Sequence, residues 1–242
     1  DAARLANVPV IMTLHDYKII CPNYLLLNHG VICEKCLDGN FWHCFRERCF
    51  KDSWSQSLLA SLEAIYHQHH KTYERGVKLF IAPSHFMADK CEQAGWPKDK
   101  LRIIINPVSL LSTVKRQPQN YFLYVGRLSK EKGVDILLKA IAQTNYPLKI
   151  AGSGPEENHW RTLAQELGLE NQVEYLGQKT PEEVSQLLAG AIAVVIPSIW
   201  YENMPFSLLE ALAHGCPVVA SKIGGLPEII KHQHNGFLWE SV

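Results

Sequence analysis

The sequence predicts an α/β protein built on parallel sheets, and three features carry that prediction. Apolar runs of strand length alternate with helix-period segments through almost all of the 242 residues, the pattern left when helices cover a parallel sheet. Runs such as residues 191–196 are apolar throughout rather than alternating, as strands buried on both faces require. The composition, 47% hydrophobic and 20% charged, supports an ordinary core rather than a disordered chain.

The elements follow in order. Residues 2–5 read as a helix entered at Asp1, with no initiator Met and no apolar leader, so the expectation is a chain truncated at its N-terminus. Strands are expected at residues 8–13, 78–82 and 102–105. Between them a long helix over residues 55–74 is capped by Asp52 or Ser53 and closed by Gly76, and a shorter one follows Ser84 and closes at Gly95. Residues 21–49 fit neither period and form a cysteine-rich insertion. Asn106-Pro107-Val108 ends the last strand, and the polar, proline-containing stretch up to Asn120 suits a linker. The expected domains are therefore 1–110, an incomplete Rossmann-like unit, and 111–242. In the second, strands are expected at residues 121–125, 148–151, 173–176, 191–196, 218–220 and 237–239. One intervening helix opens Thr180-Pro181-Glu182-Glu183, an N-cap, a proline at the first helical position and a capping-box Glu. Six strands with their helices predict one doubly wound domain.

Charge and length exclude several classes of function. Twenty-four Lys and Arg balance 24 Asp and Glu, so no global field draws the chain to nucleic acid or anionic lipid. The apolar run at residues 191–197 falls far short of the roughly 18 residues a bilayer span needs.

The most informative stretch is residues 197–217. A strand ends at Pro197, and a helix begins near Pro205, buries Leu208, Leu209 and Leu212 and stops at Gly215. Its N-terminus lies at the carboxyl edge of the sheet, where open α/β sheets bind ligands, and the N–H groups of Phe206, Ser207 and Leu208 would face an anion. Glu202 precedes the helix and Glu210 lies in its second turn, leaning back toward the same opening. Two acids there suit hydroxyls of a sugar or ribose better than phosphate. The plainer alternative is that they merely complement the helix dipole, at about 0.3–1 kcal/mol each.

Three further loops fall on that edge. Gly126-Arg127 through Lys132-Gly133 follows one strand and offers cations that could clamp a diphosphate. Ser129 and Lys130 within it are expected to be solvated. Gly152-Ser153-Gly154-Pro155 follows the next strand, and Gly224-Gly225-Leu226-Pro227-Glu228 a later one. Each alone is turn chemistry; four on one edge point to a ligand site. The third glycine of a dinucleotide fingerprint is missing, which argues against a nicotinamide-dependent oxidoreductase.

Gly126-Arg127 with Lys132-Gly133, Gly152-Ser153-Gly154-Pro155, Glu202 and Glu210 separated by seven residues, and Gly215-Cys216-Pro217-Val218-Val219-Ala220 together resemble the family 4 retaining glycosyltransferases of GT-B fold. The resemblance is specific over residues 120–239 and looser earlier, through Thr13-Leu14-His15-Asp16 and Ile105-Asn106-Pro107-Val108. It implies two Rossmann-like domains facing a cleft, the first, acceptor-side one lacking its opening portion. It implies transfer of a hexose from a UDP-, GDP- or ADP-sugar to an acceptor hydroxyl of a glycan or lipid-linked acceptor, with retention and without a metal or other catalytic cofactor. By that resemblance Arg127 and Lys132 hold the donor diphosphate, Glu210 the ribose, and Glu202 and His15 the transferred sugar. Gly126, Gly152, Gly154 and the backbone of Asn203, Met204, Pro205, Phe206, Ser207 and Leu208 line the donor site. The departing phosphate would help deprotonate the acceptor, since no second carboxylate is assignable as nucleophile. Without the resemblance His15 reads equally as packing at a strand end. The setting implied is cytoplasmic, with peripheral contact at the inner membrane face as a further expectation. Activity of the truncated chain alone is not implied.

Five of the seven cysteines fall within the insertion. Cys33-x2-Cys36 followed by Cys44 and Cys49 permits a structural four-thiolate zinc site, with Cys21 as a rival ligand. Reduced thiols and disulfides fit the same spacings, although a cytosolic setting disfavours disulfides. His67, His69 and His70 crowd one helix end beside Lys71, Arg75 and Lys78 and read as solvated surface groups. A nucleotide-sugar-binding module without turnover is the rival to an enzyme. A zinc-dependent nucleic-acid binder is opposed by the neutral charge.

Overall fold

In the computed structural model, which describes residues 3, 6–108 and 115–240, the strands pair in parallel apart from one small hairpin. The chain divides into two compact units, Asp1–Asn106 and Pro107–Val242. The helix expected at residues 2–5, apart from Ala3, and the expected boundary at residue 110 lie outside the described residues.

The first unit holds a three-stranded sheet of β1 (Ile11–Thr13), β4 (Leu79–Ala82) and β5 (Leu101–Ile103) in the order β1-β4-β5. Between β1 and β4 lies the insertion: the antiparallel pair β2 (Leu27–Asn28) and β3 (Val31–Ile32), a 3-10 turn at Lys35–Asp38 and the short helix α1 (Trp42–Arg46). It has a small core of its own, with Cys36, Phe41 and Cys44 buried against Cys49, Phe50, Ala64 and Ile65. Asn23, itself buried, donates from Nδ2 to the carbonyls of Leu27 at 2.7 Å and Cys49 at 3.3 Å, which ties the two ends of the insertion together.

The long helix expected over residues 55–74 is two. Helix α2 (Trp54–His69) is capped by Ser53, which accepts from the Gln56 N–H, and α3 (Thr72–Gly76) follows a left-handed Lys71. The break falls where the apolar period lapses: Gln68, His69 and His70 are exposed, so nothing buried holds the helix in register past them. Ser84 caps α4 (His85–Gln93) through the Met87 N–H.

The second unit is one six-stranded parallel sheet of β6 (Phe122–Val125), β7 (Leu148–Ala151), β8 (Val173–Gly177), β9 (Ala193–Ile196), β10 (Val218–Ser221) and β11 (Gly236–Trp239). Its order is β11-β10-β9-β6-β7-β8, that of a doubly wound fold. All six strands run parallel, and the order in which they are added reverses between β6 and β9; the crevice beyond the carboxyl ends of these two is where such sheets place ligands. Helices α5 (Val134–Ile141), α6 (Glu157–Glu166), α7 (Pro181–Gly190), α8 (Phe206–Ala213) and α9 (Leu226–Ile229) connect the strands. The core packs Tyr124, Leu128, Leu137, Leu138, Leu148, Ile150 and Val195 with Trp160 and Ala164 of α6. The capping box of α7 is complete, with Thr180 Oγ1 accepting from the Glu183 N–H and Glu183 Oε2 accepting from the Thr180 N–H at 2.8 Å. Helix α8 departs from the expectation in one respect: it buries Leu208 and Ala211, whereas Leu209 and Leu212 stay partly exposed. The buried positions, three residues apart, share the face of α8 that packs on β9 and β10.

Candidate functional site

Four loops at the carboxyl edge of the six-stranded sheet carry the candidate residues of the second unit. After β6, the chain runs through Gly126 and the exposed Arg127 into a 3-10 turn at Lys130–Lys132. Tyr124 donates its phenol proton to the Arg127 carbonyl at 2.8 Å, and the Ile199 N–H donates to the Glu131 carbonyl at 3.0 Å. The second bond joins the loop after β6 to the loop after β9. Gly133 allows the join: its φ is +65°, and a Cβ there would overlap the carbonyl oxygen of Pro197. Ser129, expected in solvent, is 5% exposed and donates to Glu131 Oε1 at 2.5 Å, because this folded-back turn closes over it. Lys130 is exposed.

That closure brings Lys132 to Glu202. Their Nζ and Oε1 atoms are 2.7 Å apart, with Lys132 also 5.1 Å above the Trp200 ring centroid. Glu202 is 3% exposed, and the same Oε1 accepts from the Ser198 hydroxyl at 2.5 Å. A buried carboxylate is tolerated only when paired and hydrogen-bonded, and Glu202 has both. Ser221 in turn donates to the Ser198 carbonyl at 2.7 Å. Sequence reading missed Ser198, Ser221 and Trp200; a serine or tryptophan beside a strand end carries no signal of its own.

The loops after β6 and β7 meet as well. The Gly126 N–H donates to Ala151, Leu128 to Ser153 and Glu156 to Leu128, all at 2.9–3.0 Å. At Gly152, φ is +141° and a Cβ would overlap the Gly126 carbonyl. Gly126, Arg127, Gly152, Ser153, Gly154 and Pro155, with Gln178 from the loop after β8, line an open cavity of about 420 Å³. Gln178 Nε2 donates to the Ser153 hydroxyl at 3.0 Å. Three of its seven lining residues are glycines, and Arg127 is the one charged residue among them.

Helix α8 opens with Pro205 at the N-cap and no capping side chain. The Leu208 N–H is taken by the Pro205 carbonyl at 3.1 Å, so of the three expected anion donors only Phe206 and Ser207 have no acceptor among the described residues. Asn203 and Met204 are buried just before the helix. Glu210 lies half-buried in the second turn, and desolvation pushes its carboxyl above the ordinary value, with His214 pulling the other way. A carboxyl raised on folding binds more protons in the native chain than in the unfolded one, so stability falls as pH rises through that window. Glu210→Gln is therefore expected to melt above the wild type at pH 7, the gap closing below about pH 4 where both side chains are neutral. Equal melting temperatures at pH 7 would refute it.

His15 belongs to the first unit and is exposed two residues after β1, next to Leu14, whose N–H donates to the Ile81 carbonyl at 2.8 Å. The thiols of Cys33, Cys36, Cys44 and Cys49 are all free. They lie close enough to perturb one another: burial and then the neighbouring thiols push Cys36 up, and a Cys49 hydrogen bond pulls Cys44 down. Among the described residues no group of three or more His, Cys, Asp or Glu is arranged to hold a metal ion. His67 and Tyr66 instead stack with neighbouring rings at the end of α2. No helix among the described residues is long and apolar enough to cross a membrane.

This geometry has counterparts. Residues 112–242 match the family described as Glycosyl transferases group 1. An uncharacterised glycosyltransferase of Methanocaldococcus jannaschii is 33% identical over 188 residues, 69% of this chain and 47% of its own. The D-rhamnosyltransferase WbpZ of Pseudomonas aeruginosa is 38% identical over 120 residues, 49% of this chain and 31% of its own. Among solved structures, HepE of Anabaena in complex with UDP and glucose aligns over 99% of this chain and 60% of its own, at 25% identity and a TM-score of 0.71. The outer core galactosyltransferase WaaB aligns over 72% and 52%, at 29% identity and a TM-score of 0.60. The chain spans about half the length of the curated relatives it matches. Its α/β units with parallel sheets are those of the GT-B fold. The chain belongs to the glycosyl transferases group 1 family.

Proposed function

We propose that the chain is part of a retaining glycosyltransferase that moves a hexose from a nucleotide sugar to a hydroxyl of a glycan or glycolipid. The observation that carries this reading is the meeting of Lys132 and Glu202, 2.7 Å apart, at the switch point of the sheet beside the open N-terminus of α8. A cation there, with Arg127 and the N–H groups of Phe206 and Ser207, is complementary to a diphosphate and would stand in for a metal at that group. Glu210 is the acceptor for ribose hydroxyls, and a desolvated carboxylate gains most from such bonds. Glu202 contacts the sugar or, as its pairing favours, fixes Lys132. The N-terminal unit through residue 110 contributes the acceptor side, and His15 is assigned a contact with the transferred sugar.

The departing phosphate takes the acceptor proton in this reading, while Lys132 and Arg127 hold its growing charge. HepE binds UDP and glucose, which supports a nucleoside diphosphate as the ligand here. The setting is cytoplasmic. Peripheral membrane contact through α2 is supported by Leu59 and Tyr66, which stand 70% and 59% exposed opposite buried Ser57, Ala60 and Ser61.

Melting the chain with saturating UDP, GDP, ADP and NAD tests the site. At 100 times the dissociation constant a specific ligand adds about 2.7 kcal/mol. One nucleoside diphosphate is expected to raise the melting temperature, and Glu210→Ala to abolish the rise. No shift from any of them, or a shift that survives in Glu210→Ala, would reject the assignment. Hydrolysis or transfer from the matching nucleotide sugar then separates an enzyme from a binding module.

A further inference from the structure

Ser198 stands two residues beyond β9 and is 1% exposed, so it is shielded from direct contact with a ligand in the crevice. Its hydroxyl nonetheless donates at 2.5 Å to Glu202 Oε1, the oxygen that also accepts from Lys132 Nζ at 2.7 Å. Its carbonyl accepts from Ser221, another 1% exposed side chain, at 2.7 Å. The Glu202 carbonyl accepts from the Gly225 N–H at 2.7 Å. The Glu202 backbone and one of its carboxylate oxygens are thus both held from the protein side, and Lys132, whose side chain is 21% exposed, is the member of this network that reaches toward solvent.

We propose that Ser198 is a positioning residue for donor binding: its hydroxyl locks the Glu202 carboxylate, and through it aims the Lys132 ammonium at the diphosphate. The inference rests on the reading of Lys132 as a diphosphate contact. A carboxylate oxygen that accepts two charge-assisted bonds has a defined direction. With Ser198 removed, that oxygen keeps only Lys132, a flexible four-carbon arm, and carboxylate and ammonium turn together away from the crevice. Ser221 acts one step further back by holding the Ser198 backbone.

The test is a cycle of affinities, read by calorimetric titration of the full chain with UDP, GDP and ADP. Ser198→Ala is expected to weaken the bound diphosphate by about tenfold, the size of one charge-assisted hydrogen bond, and Ser198→Thr, which keeps the hydroxyl, to retain more of the affinity than Ser198→Ala. In a Lys132→Ala, Glu202→Gln background, which buries no unpaired charge, adding Ser198→Ala is expected to change affinity less than twofold. A merely structural serine would lower affinity by the same factor in both backgrounds, and that result overturns the proposal, as does unchanged affinity in Ser198→Ala alone. If the Lys132→Ala, Glu202→Gln chain binds as the wild type does, or if no diphosphate binds the wild type, it is the underlying reading of Lys132 that fails.

Discussion

Replacing Lys132 by alanine is expected to lower turnover of the nucleotide sugar by 10² to 10³, roughly the loss seen when one preorganised donor is taken from a developing charge. The same substitution also strands Glu202, 3% exposed, without its counter-charge. Breaking a buried pair from one side costs about 3–5 kcal/mol, so a lower melting temperature is expected alongside the lower rate. The two effects separate in the Lys132→Ala, Glu202→Gln chain, where the amide removes the stranded charge. Its melting temperature should return toward that of the wild type while its rate stays low. Initial rates at saturating donor and a melting curve on each variant are the measurements; a rate that recovers together with stability would mean that Lys132 serves only the fold.

The sheet of the second unit was legible in the sequence, and most of the site was not. The strands show because residues 148–151 and 193–196 are apolar at nearly every position and too short for a helix, as strands of a doubly covered sheet are. The start of α7 shows because Thr180, Pro181 and Glu183 state it locally. The candidate residue types were also readable: Arg127 and Lys132 stand between Gly126 and Gly133 in the loop after β6, Glu202 in the loop after β9 and Glu210 in the second turn of α8. Their relations were not. Lys132 and Glu202 are 70 positions apart, and only the bond between Ile199 and Glu131, which depends on a particular glycine, reveals that they pair. Ser129 fails as a prediction for the same reason, since a serine in a charged loop reads as solvated until the loop is seen to fold back. The break at Lys71 is of another kind: helix propensity continues through it, and the missing ingredient is a buried face. The insertion resisted both periods because its strands are two residues long and its small core is made largely of cysteine and phenylalanine.

Gly133 makes the strongest use of that fold-back. Gly133→Ala is expected to lower turnover by about 10², on the ground that a misplacement near 1 Å at a reacting centre costs that much. The residue has φ +65°, and an added Cβ overlaps the Pro197 carbonyl oxygen and crowds Ile199. The overlapping atom at Pro197 is backbone rather than the end of a flexible side chain, so the 3-10 turn must move and carry Lys132 off Glu202. A left-handed alanine by itself costs only about 1–2 kcal/mol, and Gly168 isolates that part of the effect. It too is left-handed, at φ +69°, but a Cβ there meets nothing within 4 Å. Gly168→Ala is accordingly expected to lower the melting temperature and leave the rate at saturating donor unchanged, whereas Gly133→Ala lowers both. If the two variants lose rate equally, the loss comes from general destabilisation and the close approach of the two loops has no part in positioning Lys132; if only Gly133→Ala loses rate, the join at Pro197 is what sets the geometry of the site.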